Sequence, residues 1–449
     1  MLSELTDIPG PPPSGDGHHM GAIAAAGGLH TFQLDLHRRY GDVARFRLPH
    51  STVVSVADPV LLEATVRLNE RPAELFRFLD PFFESGNLQV LPEREYVPWR
   101  RVVLPAMSDH AAHAASFPRL AAEVERVADR WAARREPVAL QHELNNLALR
   151  MVCSYAMGDA FDAAGDLAER IVSAFQFLLD HFIHEMRGGE PPIPPGERRR
   201  RVEQAVEQAQ WTLREAITEV VERRAAGRGR SDSADLVGVL LDAGWPMGRV
   251  RDTLLGEMMG GHHTSGVATS WTLHLVSLHP EVERRLHAEL DDVLRGRTTP
   301  DHADLRRLRY LEMALNESMR LYPPAPYAAR ETTTEISVGG YRLPTGTTIL
   351  HPIWAVHRNP RVWPEPDRFD PERFAPAAAA SRHRLAFLPF GIGPRHCSGA
   401  GFASVQIRLM LAVLARRFRF RLVQGHVVTP VERFVLCAED DIRMTVTAR

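Results

Sequence analysis

One segment near the C-terminus limits the possible folds most strongly, because it places a cysteine between a glycine-rich turn and an amphipathic helix. Residues 390–399 read Phe-Gly-Ile-Gly-Pro-Arg-His-Cys-Ser-Gly, and the cysteine is Cys397. A turn that leads into a helix N-terminus directs backbone N–H groups at the sulfur, which favours the thiolate. The glycines also let the backbone approach a flat ligand closely. The segment therefore predicts an ionised, ligand-binding cysteine instead of an inert core residue.

Composition excludes several classes of protein. The chain has 449 residues, 44% of them hydrophobic, and a formal net charge of -2. It can bury a large core, but it lacks the basic surplus of a nucleic-acid-binding protein. The cysteines Cys153, Cys397 and Cys437 are too few and too scattered for a disulfide framework or a zinc site. We expect a reducing, cytoplasmic setting.

The N-terminal residues and the hydropathy pattern predict no membrane association. Residues 1–16 are rich in proline and carry Glu4 and Asp7, without the basic start and apolar run of a leader. We expect them to be a flexible lead. Nowhere does an apolar stretch approach the length that spans a bilayer.

The order of periodic segments predicts a mainly α protein with minor β structure, in a single domain over residues 1–449. Helical periodicity dominates from about 95 to 320. Two breaks interrupt it, a glycine- and proline-rich stretch at 188–196 and a polar stretch at 227–233. The predicted β structure comprises a hairpin at 43–48 and 52–56, short pieces at 336–343, and strands near 418–422 and 442–446.

The segment 390–399 matches, residue for residue, the heme-ligand signature of the cytochrome P-450 family, Phe-Gly-x-Gly-x-Arg-x-Cys-x-Gly. This resemblance implies the P-450 fold, a triangular helical prism with small β-sheets, and heme b as cofactor. It further implies that Cys397 is the metal ligand, that Phe390 and Gly391 lie against the heme, and that Arg395 pairs with a propionate. A cysteinate ligand donates electron density that favours O–O cleavage.

A second segment, Gly260-Gly261-His262-His263-Thr264-Ser265, resembles the family's oxygen-activation motif. The resemblance implies that Thr264 is the catalytic alcohol, that Gly260 and Gly261 make room over the heme, and that His263 occupies the usual carboxylate position. A histidine there also occurs in the sterol 14-demethylase branch. That branch's Tyr-x-x-Phe and Pro-x-Phe-Gly patterns are missing around 76–90. A sterol demethylase is therefore the alternative interpretation.

Two further groups of residues match the family in order along the chain. Glu317 and Arg320 are spaced to share one helix face, and with Arg373 they resemble a buried charge network that holds the cysteine loop. Tyr96 and Arg100, in the family's helix C, and Arg330 resemble residues that anchor the heme propionates.

An apolar substrate needs a pocket with hydrophobic walls. Position in the family selects the following residues as candidates for those walls: Phe78, Phe82, Phe83, Phe175, Leu178, Phe182, Met258, Ala325, Tyr327, Phe434 and Val435.

The resemblance implies a monooxygenase that inserts one oxygen atom of O2 into an apolar small molecule, such as a polyketide, terpenoid or peptide intermediate of secondary metabolism. Electrons would come from NAD(P)H through a separate ferredoxin or flavodoxin and its reductase. A peroxide-driven hydroxylase fits less well because Thr264 is present. A non-enzymatic heme sensor has no sequence feature in its favour.

Overall fold

The computed structural model describes residues 2–162, 165–186, 197–227 and 235–449. The predicted break at 188–196 lies outside the described residues, and so does the stretch 227–233 except for its first residue. Helices dominate the described part, as the periodicity predicted. They are α1 (Met20–Ala25), α2 (Leu29–Tyr40), α3 (Glu93–Ser108), α4 (His110–Ala133), α5 (Leu140–Met157), α6 (Asp159–Asp162), α7 (Asp166–Met186), α8 (Glu197–Ala226), α9 (Leu236–Asp242), α10 (Met247–Gly261), α11 (His263–Leu278), α12 (Pro280–Leu294), α13 (Arg309–Leu321), α14 (Ile353–Val356), α15 (Pro376–Ala380) and α16 (Ala400–Arg417).

The strands form small sheets beside the helices. They are β1 (Val43–Leu48), β2 (Ser51–Val56), β3 (Val138–Ala139), β4 (Ala328–Glu331), β5 (Ile336–Val338), β6 (Tyr341–Leu343), β7 (Thr348–His351), β8 (Phe418–Leu422), β9 (Pro430–Arg433), β10 (Val435–Ala438) and β11 (Arg443–Ala448). The largest sheet has the order β1-β2-β7-β4, and the others are β3-β11-β8, β5-β6 and β10-β9. The predicted hairpin is confirmed: β1 and β2 pair antiparallel from Val43 opposite Val56 to Leu48 opposite Ser51.

Part of the proline-rich lead, which was expected to be flexible, contacts the rest of the protein. Ile8 is 1% exposed, and its carbonyl accepts a hydrogen bond from Nε of Arg45 at 2.7 Å. Ser3 forms a bridge with Tyr341 of β6. The apolar side chain of Ile8 packs in the core, a contact that composition alone does not reveal.

Helix α11 lies at the centre of the core and positions the site. It packs against α5, α13 and α16, and most of its residues are buried. A Cβ on Gly266 would lie 2.7 Å from the Cα of Asn145 in α5, so the glycine permits close contact between these two helices. The predicted oxygen-activation segment spans the start of α11, and the segment 390–399 leads into α16, which packs against it. Across the ranges described, no helix is both long and apolar enough to cross a membrane.

Candidate heme site

The loop that carries Cys397 depends on two glycines in the left-handed region. The φ angle is +73° at Gly391 and +68° at Gly393, values that residues with a Cβ rarely adopt. At Gly393 a Cβ would also collide with the carbonyl oxygen of Val66. The N–H of Cys397 donates to the carbonyl of Phe390 at 2.9 Å. The glycines and this hydrogen bond fold the loop so that Cys397 precedes helix α16.

The Cys397 side chain keeps an accessible surface, yet protein atoms crowd its sulfur on the other sides. Burial raises the pKa of the thiol to about 11, and the Glu257 carboxyl adds to the rise, while the N–H of Gly399 and the guanidinium groups of Arg100 and Arg71 act in the opposite direction. The N–H of Gly399 therefore favours the thiolate, as expected for the turn, and burial opposes it. A coordinated metal cation deprotonates a thiol, so a metal bound at Cys397 would favour its ionised form.

The half-buried Arg71 and the buried Arg330 and Arg395 lie near this loop. Each has a buried N–H group without a hydrogen-bond partner among the described residues: Nε of Arg71, Nε of Arg330 and Nη1 of Arg395. Burial, with repulsion between these guanidinium groups, lowers the pKa of Arg71 to about 10 and that of Arg330 to about 9. Buried cations are costly unless they are paired. The cluster therefore fits an anionic ligand with carboxylates, which is what the propionates of a heme would provide.

The remaining N–H groups of these arginines fix where the guanidinium groups lie. Arg395 donates from Nε to the backbone and side-chain oxygens of Asn69, at 2.7 and 2.9 Å. Its guanidinium carbon lies 3.5 Å from the centre of the Tyr96 ring. Arg330 donates from Nη2 to the carbonyl of Ile392 at 3.0 Å. The unpartnered N–H groups are thus held in place by contacts on the other side of each guanidinium.

Tyr96 and Arg100 share one face of helix α3, as their spacing predicted. Arg100 Nη1 donates to the Tyr96 hydroxyl at 3.0 Å and to the carbonyl of His396 at 2.7 Å. The Tyr96 hydroxyl donates to the carbonyl of Pro394 at 3.3 Å. Both side chains therefore bind the backbone of the cysteine loop directly, a contact that the sequence did not predict.

The predicted oxygen-activation segment interrupts the long central helix. Helix α10 ends at Gly261 and α11 begins at His263, because His262 has a ψ of -83°. The Thr264 hydroxyl donates to the carbonyl of Gly260, one turn earlier. Backbone hydrogen bonding around the break is weak, since the N–H of Gly266 reaches the His262 carbonyl only at 3.4 Å. Thr264 thus lies on the first turn after a helix break.

The two glycines of this segment have different surroundings. A Cβ on Gly260 would meet no atom within 4 Å, so open space adjoins it. A Cβ on Gly261 would lie 3.0 Å from the Val152 side chain of α5. Gly260 therefore suits the predicted role of making room for a flat ligand, while Gly261 allows two helices to pack closely.

His262 and His263 form a close, tilted pair of neutral rings. Their ring centres are 4.1 Å apart, and His262 also meets Phe175 edge-on at 5.7 Å. Burial lowers the pKa of His263 to about 4 and the pKa of His262 well below 6.5, helped by its neighbour. Both imidazoles are therefore uncharged at neutral pH.

Glu317, Arg320 and Arg373 lie together in a buried network. The Glu317 and Arg320 side chains have no exposed surface, and Arg373 Nε lies 3.3 Å from Glu317 Oε1. Arg320 donates to the two carboxylate oxygens at 2.7 and 2.8 Å. It also donates to the carbonyl of His357 at 2.9 Å, and His357 Nε2 accepts the N–H of Leu388 at 2.8 Å. The network thus reaches the chain just before the cysteine loop.

The structure brings several of the candidate substrate residues into contact with one another. Phe82, Phe175 and Phe182 are buried against one another, with ring centres of Phe82 and Phe182 4.9 Å apart, and Phe78 meets Phe434 at 6.3 Å. Tyr327 donates its hydroxyl to Glu432 at 2.6 Å, so its polar end is already engaged. Of the remaining candidates, Phe83, Leu178, Met258 and Val435 are buried, and Ala325 is exposed.

Two residues of the site were missed from the sequence. Arg71 belongs to the arginine cluster, but it lies in an irregular segment without a recognisable motif. Glu257 accepts a hydrogen bond from the Ser398 hydroxyl at 3.1 Å. Its signal was available, because a carboxylate within the run Leu-Leu-Gly-Glu-Met-Met is unusual in a buried helix.

Comparisons with known proteins agree with this geometry. The family model for cytochrome P450 matches residues 10–446. Cyclooctat-9-en-7-ol 5-monooxygenase from Streptomyces melanosporofaciens is 32% identical over 401 residues, which cover 86% of this chain and 84% of that protein. Cyclooctatin synthase from the same organism is 31% identical over 417 residues, 89% of this chain and 87% of that protein.

A solved structure described as the cytochrome P450DA heme domain has a TM-score of 0.86 and 21% identity, and the match covers 100% of this chain and 98% of that one. This likeness shows the fold. Together with the family match over almost the whole length, it establishes that the chain belongs to the cytochrome P450 family, whose members are heme-iron monooxygenases.

Proposed function

We propose that this monooxygenase holds heme b through Cys397 and oxidises an apolar, cyclic terpenoid of secondary metabolism. The observation that carries the heme assignment is the set of unpartnered N–H groups on Arg71, Arg330 and Arg395, close to a cysteine loop with an accessible sulfur. Unlike an isolated cysteine motif, this arrangement supplies both a metal ligand and counter-ions for two propionates.

The heme, when bound, supplies the redox chemistry, and a thiolate ligand favours cleavage of an O–O bond. The chain's own contribution is to hold that group. Cys397 would bind the iron, and the arginines would bind the propionates. Gly260 and Gly391 would lie against the faces of the ring, since a Cβ at either position would meet no atom within 4 Å.

Thr264 and His263 would hold and move protons during the reaction. The Thr264 hydroxyl donates to the carbonyl of Gly260, and it can exchange this partner for a water because the helix is already interrupted at His262. His263 is neutral, so one ring nitrogen can donate a proton while the other accepts one. A carboxylate in the same place would act as an acceptor only until protonated.

The terpenoid assignment rests on the two Streptomyces relatives, which match most of this chain and are named for cyclooctatin chemistry. The buried aromatic set Phe82, Phe175 and Phe182 supports an apolar substrate. The sterol 14-demethylase alternative gains no support from these relatives.

Electrons would reach the heme from NAD(P)H through a ferredoxin or flavodoxin and its reductase. Monooxygenation consumes electrons as well as O2, so the family needs such a donor. The choice between the two carriers is part of the proposal and is tested by reconstitution with each.

The deciding experiment combines two spectra. Reduced protein with carbon monoxide should absorb at the long-wavelength position typical of thiolate-ligated heme, and Cys397→Ser should abolish that band. Oxidised protein should then be titrated with a panel of cyclic diterpenes, sterols and fatty acids. A spectral shift with the diterpenes supports the proposal. A response to sterols alone would contradict the substrate class, and a normal band in Cys397→Ser would contradict the ligand.

A further inference from the structure

Glu257 places a carboxyl group inside an apolar part of helix α10. It is 7% exposed, and the preceding Leu255 and the following Met258 are fully or almost fully buried. Burial raises the pKa of the Glu257 carboxyl to about 7. A buried carboxyl costs free energy unless it is hydrogen-bonded, so its contacts indicate what it holds.

Those contacts lead to the residues that follow Cys397. Oε1 of Glu257 accepts the Ser398 hydroxyl at 3.1 Å. Oε2 lies beside Gly399, where a Cβ would be only 3.6 Å away. Both contacts come from one side chain on α10, so this helix is hydrogen-bonded to the loop immediately after the ligand.

Arg100 binds the other side of the same loop. It donates to the carbonyl of His396, directly before Cys397, at 2.7 Å, and its positive charge favours the ionised form of Glu257. Glu257 and Arg100 therefore form hydrogen bonds with the residues directly after and directly before Cys397. The first does so from α10 and the second from α3.

We propose that Glu257 is a positioning residue, which fixes Cys397 by tying Ser398 to the helix that also carries Gly260. This inference rests on the proposed function, because it takes Cys397 as the heme ligand. The geometry makes α10 a shared support: its last turn borders the open space beside Gly260, and its preceding turn holds the cysteine loop. A loop without this tie would let the sulfur leave the iron more readily while the rest of the fold stays intact.

The test measures how fast thiolate ligation is lost in the heme-loaded protein. The reduced, carbon monoxide-bound form is placed in mild denaturant, and the decay of the long-wavelength band is compared with the release of heme. A hydrogen bond to a carboxylate is worth enough that Ser398→Ala and Glu257→Leu should each speed the decay about tenfold or more. Ser398→Thr should restore the parent rate, since it keeps the hydroxyl. The double variant should decay no faster than the faster single variant.

Thr253→Val is the matched control. Thr253 lies one turn before Glu257 on α10 and accepts a hydrogen bond from the Trp99 indole N–H, also at 3.1 Å. Removing that bond weakens the contact between α10 and α3 but removes no hydrogen bond to the cysteine loop. The ratio of ligand loss to heme release should therefore stay within about twofold of the parent.

Several results would overturn the inference. They are a Ser398→Ala decay equal to that of the parent, an equally fast Thr253→Val, or additive effects in the double variant. If Glu257→Leu does not fold, Ser398→Ala decides alone, because it removes one oxygen from a half-buried side chain. A parent protein that lacks the band refutes the proposed function itself, and is recognised before any variant is compared.

Discussion

Replacing Glu317 with alanine should remove a large part of the stability of this protein. In the parent, the Glu317 carboxylate accepts two hydrogen bonds from Arg320, at 2.7 and 2.8 Å, and the N–H of Asp370 at 2.9 Å. Neither Glu317 nor Arg320 has exposed side-chain surface. The substitution therefore leaves a buried guanidinium without its counter-ion and a backbone N–H without its acceptor.

The size of the loss follows from these contacts. A buried charge deprived of its partner costs about 3–5 kcal/mol, and an orphaned N–H adds about 1–3 kcal/mol. Arg320 keeps the carbonyls of His357 and Pro366, at 2.9 and 2.6 Å, which limits the loss to about 4–6 kcal/mol. Because a domain is stable by only about 5–15 kcal/mol, we expect little heme-loaded Glu317→Ala protein.

Urea unfolding and heme content measure this effect, with Glu281→Ala as the control. Glu281 and Arg284 have the same three-residue spacing on helix α12, but their side chains are 64% and 67% exposed. Loss of an exposed pair costs at most about 1 kcal/mol. If Glu317→Ala lost no more stability than Glu281→Ala, the buried network would not support the fold as argued.

Three further predictions concern the site. Thr264→Ala should bind substrate normally but divert NAD(P)H consumption into hydrogen peroxide. His263→Ala should slow turnover about 10²–10⁴-fold where proton transfer limits it, and His263→Asp should lose less. Product formed per NAD(P)H consumed is the measurement, and an unchanged ratio in Thr264→Ala would refute the role of its hydroxyl. Arg71→Ala should weaken heme retention about tenfold or more, because it removes a guanidinium that is proposed to pair with a propionate. Transfer of heme to an acceptor protein measures this effect. Arg67 is exposed, and Arg67→Ala should have no effect. Burial lowers the pKa of His357 to about 3, so this side chain is neutral in the folded protein and takes up a proton on unfolding below pH 6.5. The free energy of unfolding should therefore be about 2 kcal/mol lower at pH 5 than above pH 6.5 because of this residue. The stability of His357→Gln should depend less on pH over that interval, and an equal slope would contradict the assignment.

Features that depend on neighbours in the chain could be predicted from the sequence. The hairpin β1–β2 follows from alternation over a few residues, and the loop geometry at Gly391 and Gly393 requires residues without a Cβ. The Glu317–Arg320 pair follows from helix spacing, but only the structure shows that it is buried. Local pattern thus gave the elements and the residues of the motifs.

Features that depend on distant parts of the chain could not be predicted in this way. Arg71 joins Arg330 and Arg395 across more than two hundred residues, and no periodicity marks it. The contact between the N-terminal lead and the core is another example, because it depends on the burial of Ile8. The helix N-terminus beside Cys397 is visible in the sequence, while the burial and the Glu257 carboxyl that oppose ionisation of its thiol come from tertiary structure.

The charges of the site explain why these parts belong together. Among the described residues, Arg71, Arg330 and Arg395 each have a buried N–H group without a hydrogen-bond partner, and burial raises the pKa of the Cys397 thiol to about 11. Each feature alone costs free energy, and the proposed heme would relieve both, because its carboxylates would pair with the arginines and its metal cation would ionise the thiol. Since a ligand that binds only the folded state stabilises it, heme should raise stability through both ends of the site. Arg71→Ala and Cys397→Ser should therefore each reduce that gain, and together they should remove more of it than either does alone.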